Sequence, residues 1–112
     1  MEARKAMIVQ DFTEKHEIRD EAPAGGISKG LGFEIAWQDG PCGDGVAPNG
    51  AFTETIIRAC IGRLEFFQGA LKGKFACGHN QKAIRALHEA MGHLQRRQRD
   101  RLAAGILGTN TP

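Results

Sequence analysis

The chain has 112 residues, of which 41% are hydrophobic and 25% charged, the composition of an ordinary folded domain with length enough to bury a core. This length excludes barrels and doubly wound nucleotide-binding folds and predicts a single domain over residues 1–112. No apolar run approaches the ~20 residues needed to span a bilayer, and the opening MEARKAMIVQDFTEK has no apolar signal core, so no membrane or secretory role is expected.

The net charge of +2 hides an asymmetry. Residues 1–57 hold five Lys/Arg against ten Asp/Glu, net −5, and residues 58–112 hold ten against three, net +7. An acidic front and a basic back suit either an anionic partner for the back or two copies meeting front to back. Three cysteines at wide, irregular spacing (Cys42, Cys60, Cys77) predict free thiols in a reducing cytosol rather than a disulfide framework.

Residues 1–21 are charged around Met7-Ile8-Val9 and Phe12, and fit a short helix, a strand or an ordered arm equally. The glycine-rich APAGGISKGLG of residues 22–32 reads as a loop, and residues 1–30 are expected as an N-terminal extension or arm. Phe33-Glu34-Ile35-Ala36-Trp37 alternates like a half-buried strand, and Gln38-Asp39-Gly40-Pro41 ends it with turn chemistry. Residues 42–50 read as a second glycine-rich loop, with room for a short edge strand.

Apolar spacing of three and four predicts a first helix over residues 53–68, with Thr53 as N-cap, Glu54 in the first turn and Gln68-Gly69 as the stop. Ile56, Ile57, Cys60, Ile61, Leu64 and Phe67 form its apolar face, where Cys60 reads as a small core residue. A second helix is expected over residues 80–104, capped by Asn80, striped by Ile84, Leu87, Met91 and Leu94, and closed at Gly105. Beyond Leu94 its surface turns basic through Arg96, Arg97, Arg99 and Arg101. The expected architecture is α+β: a small N-terminal antiparallel β element packed on a C-terminal two-helix hairpin, with sheet edges and charge asymmetry favouring an oligomer.

Little of this is arranged for catalysis. Cys77-Gly78-His79, with Cys42, Cys60, His88 and His93, offers ligand types for a metal but neither CxxC nor HxxxH spacing, and His88 and His93 fall on divergent helix faces. Cys77 ahead of a helix N-terminus, with His79 as base, could act as a nucleophile, but no third orienting residue follows and no nucleophile elbow occurs. Neither GxGxxG nor a P-loop is present. No enzyme, metal or cofactor is therefore expected.

A binding constellation is better supported. Helix N-termini hold phosphates through their unpaired N–H groups and the helix dipole, and Asn80 with Lys82 opens the second helix. Phe67 closes the first helix and offers a flat surface for a purine. Arg97 and Arg101 lie 17 and 21 residues beyond Asn80, about 25–30 Å along a helix. They reach the same ligand only where two helices pack antiparallel in a symmetric dimer. The competing readings are a capped helix with a solvated basic tail, a protein–protein module docking through its polar helix end, and a nucleic-acid binder using Arg96–Arg101. A pI of about 8.6 and 6% aromatics, none interleaved with the basic residues, weigh against the last.

Over residues 48–109 the order PNGAFTETIIRACIGRLEFFQ, KFACGHNQKAI, LHEAMGHLQRRQRDRLAAGILGT, preceded by GFEIAWQDGP, resembles the first family of Thoeris anti-defence sponge proteins of phages. The resemblance implies a protein in the cytoplasm of an infected bacterium. It would bind cyclic ADP-ribose isomers made by TIR-domain enzymes (gcADPR-type signals), and in some members cyclic oligonucleotides, without cleaving them. It also implies hexamers built from dimers. Carried over by position, the base-stacking aromatic falls on Phe67, with Phe66 and Phe75 as its alternatives, the helix-start Asn on Asn80 and the distal Arg on Arg97. Lys82, Arg101 and Thr109 are expected as further contacts. Gly78-His79 stands where the family usually has Arg-Glu, and the linker between Phe67 and Phe75 is longer than usual.

Overall fold

Strand β1, Phe12–Arg19, alternates Phe12, Glu14 and His16 with Thr13, Lys15 and Glu17, a period of two that suits a strand. The computed structural model describes residues 11–43 and 45–112, so the Met7-Ile8-Val9 run lies outside the described residues. β1 pairs antiparallel with β2, Ala22–Gly30, which pairs antiparallel with β3, Phe33–Ala36, giving the order β1-β2-β3. The sheet and the tail from Gly108 cluster as one unit and residues 52–107 as another.

Strand β2 corrects the expected loop at residues 22–32. Its glycines accommodate close neighbours instead of breaking the strand. Gly26 has φ +148°, and a Cβ there would stand 2.2 Å from the Lys15 carbonyl oxygen of β1. A Cβ on Gly30 would meet the Phe33 ring at 2.4 Å. Without it, that ring lies across the strand toward Phe12, with centroids 6.3 Å apart. Between the pairs His16–Gly26 and Ile18–Pro23, Ala24 and Gly25 stand opposite Glu17 alone, a β-bulge.

The predicted strand from Phe33 is present, and Trp37 prolongs it by donating to the Gly26 carbonyl at 2.9 Å and bridging in parallel to Ala51. The Gln38 and Asn49 side chains then tie the loop back on itself. The Asn49 and Gly50 amides donate to Gln38 Oε1 at 2.9 and 3.2 Å, and the Asp39 amide donates to Asn49 Oδ1 at 2.8 Å. Arg19 forks onto both carboxylate oxygens of Asp39, joining the β1–β2 turn to the same loop.

The second unit is an antiparallel pair of helices, α1 (Thr53–Gly73) and α2 (Gly78–Ala103). Ile61 and Ile84 are its buried apolar side chains among the described residues. Ile56, Ile57, Leu64, Leu87, Met91 and Leu94 are half-buried, and Cys60, expected in the core, is exposed. Regular α1 geometry stops where the sequence predicts, because Ala70 is extended and Leu71 and Lys72 are left-handed. Thr53 is not its cap: Phe52 holds that position with no side-chain hydrogen bond, while Glu54 accepts from Gln98 of α2 at 2.6 Å. Gly105 closes α2 as expected, with the Ile106 amide on the Arg101 carbonyl and the Gly105 amide on Leu102, both at 3.0 Å. No helix among the described residues is long and apolar enough to cross a membrane.

Candidate functional site

The turn between α1 and α2 is closed by a side-chain clamp. Gln68 sits at the end of regular α1, and its amide grips both backbone groups of Cys77. The Cys77 amide donates to Oε1 at 2.9 Å, and Nε2 donates to the Cys77 carbonyl at 3.1 Å. This clamp closes the irregular linker by tying the end of regular α1 to the cap of α2.

Cys77, not Asn80, caps α2: its backbone is extended and its Sγ accepts the Asn80 amide at 3.4 Å. Asn80 is thus the third helical residue, half-buried in the first turn. The cap leaves the Gly78 and His79 amides without a partner among the described residues, at the positive end of the helix dipole. All three cysteines are free thiols.

Phe67 lies in the last turn of regular α1, 38% exposed, edge to face with Phe66 at 5.8 Å between centroids. Phe75, on the linker, is also exposed, with the Lys74 ammonium 5.6 Å from its ring centre. The Arg63 guanidinium covers the Phe66–Phe67 pair, 5.1 and 5.0 Å from the two centroids. Sequence reading passed over Arg63. The signal was its position, three and four residues before two adjacent phenylalanines, where helical neighbours meet.

The distal arginines lie at the other end of α2. The Gln98–Glu54 hydrogen bond sets that region beside the start of α1, about 25 Å along the helix from Asn80. Arg97 is exposed there. Arg101 is half-buried and donates to the Ile106 carbonyl at 3.2 Å, so it also fastens the helix end. Lys82 is exposed near the α2 start. Thr109 belongs to the tail that clusters with the sheet, where its hydroxyl accepts the Thr111 amide at 3.2 Å. One chain therefore brings Phe67, Asn80 and Lys82 to one end of the helix pair and leaves Arg97 and Arg101 at the other.

A second polar cluster crosses the sheet. Trp37 Nε1 donates to Ser28 Oγ, and Ser28 donates to Glu14, both at 2.7 Å. His16 Nε2 lies 3.2 Å from the other Glu14 oxygen. The Ser28 hydroxyl and then His16 hold the Glu14 carboxyl below the usual carboxylate range. No group of three or more His, Cys, Asp or Glu among the described residues is placed to hold a metal ion.

No family model matches the chain. Over 62 residues it is 37% identical to the Thoeris anti-defense 1 protein of Bacillus phage SBSphiJ7, a stretch that covers 55% of this chain and 42% of that relative. The chain thus matches less than half the length of the phage protein, and the partial likeness points toward the Thoeris anti-defence proteins.

Proposed function

We propose that the protein is a non-enzymatic phage anti-defence protein that binds cyclic nucleotide signals of the cyclic ADP-ribose class, and holds them intact in the cytoplasm of an infected bacterium. In this reading Phe67 stacks on a base, Asn80 and the open amides of α2 receive a phosphate or ribose edge, and Lys82 adds charge. Arg97, with Arg101, comes from a second copy whose α2 runs antiparallel. The assembly is dimer-based, with hexamers as its expected higher form, and Thr109 remains a further expected contact.

The observations that support this are an exposed aromatic pair in the last turn of regular α1, the Gln68 clamp that ties the next residue to Cys77, and an α2 start with unpaired amides. That combination suits a ligand that is both flat and anionic. The net charge of the helix unit agrees: ten Lys/Arg against four Asp/Glu over residues 52–107, a balance of +6.

Incubation with a panel of cyclic ADP-ribose isomers and cyclic oligonucleotides, then filtration, heating and chromatography, tests the reading. A ligand removed from the filtrate and recovered unchanged on heating is the expected result. Recovery of an altered product would replace sequestration with catalysis and direct attention to Cys77 and His79. Failure to retain any of these compounds would overturn the proposal.

A further inference from the structure

Arg63, Phe66 and Phe67 share one face of α1, and the guanidinium lies over both rings at 5.0–5.1 Å. The rings meet at 71°, so the arginine covers the angle between them. Other arginines here have different work: Arg19 pairs with Asp39, Arg96 reaches His93 Nδ1 at 3.1 Å, and Arg101 fastens the end of α2. Arg63 has neither an ion pair nor a side-chain hydrogen bond among the described residues, so its charge is not neutralised by a carboxylate.

We propose that Arg63 recognises the ligand, yielding the Phe66–Phe67 face to a nucleobase and forking onto a phosphate of the same molecule. This rests on the nucleotide reading given above. A base stacked on an exposed aromatic ring is held more strongly than an exposed cation over the same ring, so the exchange runs toward the base. The released guanidinium stays tethered within one helical turn of the rings. From there it meets the ligand's phosphate through two parallel N–H donors. A lysine supplies the charge but neither the plane nor the fork. The site should accordingly favour nucleoside phosphates over the bare nucleoside, a distinction that the phenylalanines alone do not make.

Calorimetric titration with cyclic ADP-ribose and with adenosine, on the wild type and on Arg63→Ala, Arg63→Lys and Phe67→Ala, tests this, with circular dichroism as the check on helix content. Arg63→Ala is expected to weaken cyclic ADP-ribose binding by roughly tenfold or more and to flatten its salt dependence. Arg63→Lys should recover the salt dependence and only part of the affinity. Adenosine binding should change less than about twofold in either variant, since it offers no phosphate. Two results overturn the assignment alone: Arg63→Ala binding cyclic ADP-ribose like the wild type while Phe67→Ala loses it, or equal losses for both ligands. A wild type that binds neither cyclic ADP-ribose nor any other member of the panel overturns the nucleotide reading and this assignment together.

Discussion

Gly26 and Gly30 look interchangeable in APAGGISKG but occupy different surroundings. A Cβ on Gly26 would press on a backbone carbonyl at 2.2 Å, with φ at +148°. Neither the carbonyl nor the dihedral can give without breaking the β1–β2 ladder. A Cβ on Gly30 would meet chiefly the far end of the Phe33 ring, which can swing away, and the Asp11 carbonyl oxygen at 3.2 Å, which need give only slightly. Gly26→Ala should therefore cost more than about 2 kcal/mol, and Gly30→Ala about 1 kcal/mol from the lost Phe12 contact. Urea denaturation of the two variants checks the order, and equal costs would refute the account. Opposite Ser28, which lies two residues from each glycine, Glu14 makes a prediction in pH. Its carboxyl titrates lower in the folded chain because Ser28 and His16 favour the ionised form. The stability it lends is therefore complete above its unfolded pKa of ~4.3 and is lost as pH falls through the lower folded value. The denaturation midpoint should drop on acidification below pH ~4 more steeply in the wild type than in Glu14→Gln. Parallel curves would show that the carboxylate contributes nothing.

Single contacts of this kind decide which elements can be read from the chain. Helix spacing gave Ile61 and Ile84 their places, because a three-to-four period marks the face that packs, while Cys60 at the edge of that face is exposed. The ends of the helices were harder. The stop at Gln68-Gly69 was legible, but the α2 cap fell to Cys77 because its sulfur meets the Asn80 amide first, and composition rules favour asparagine over a weak sulfur acceptor. Strand β2 was hidden because glycine count signals a loop, whereas pairing on both sides recruits those glycines for close approach. At the candidate site the residue types were legible in Phe67 and Asn80. The clamp between the helices was not, since it depends on Gln68 folding the linker back onto Cys77. The β1–β2 turn carries a testable strain of the same local origin. Asp20 and Glu21 form its two-residue loop with φ of 55° and 61°, a mirror-image turn whose second position favours glycine. Glu21→Gly should stabilise the sheet by about 1 kcal/mol by relieving the left-handed side-chain clash. Unchanged or lower stability on thermal melting would mean that the turn is not strained.

The helix pair as a single chain buries little. Ile61 and Ile84 together contribute about 3–6 kcal/mol of hydrophobic stabilisation, small against the conformational entropy of two long helices. Phe66, Phe67, Leu71, Phe75 and Leu102 meanwhile stay exposed. A second copy laid antiparallel along α2 would cover apolar surface and carry Arg97 toward the partner's Asn80. The proposed antiparallel dimer would serve a larger core and a shared site together, and complementation separates it from a site within one chain. Asn80→Ala and Arg97→Ala homodimers should each fail to retain cyclic ADP-ribose while keeping the oligomeric mass of the wild type. When the two variants are unfolded and refolded together, each mixed dimer has one site lacking both groups and one site with both intact. Half the dimers in a random mixture are mixed, so retention should return to about a quarter of wild-type capacity. A site built within one chain predicts no recovery, because every chain then carries a defect. Joining both substitutions in one chain and refolding it with wild type reverses the pattern: every mixed dimer loses both sites, and only the wild-type quarter of the population binds. Recovery in the first mixture, with no sites in the mixed dimers of the second, would establish that the site is shared.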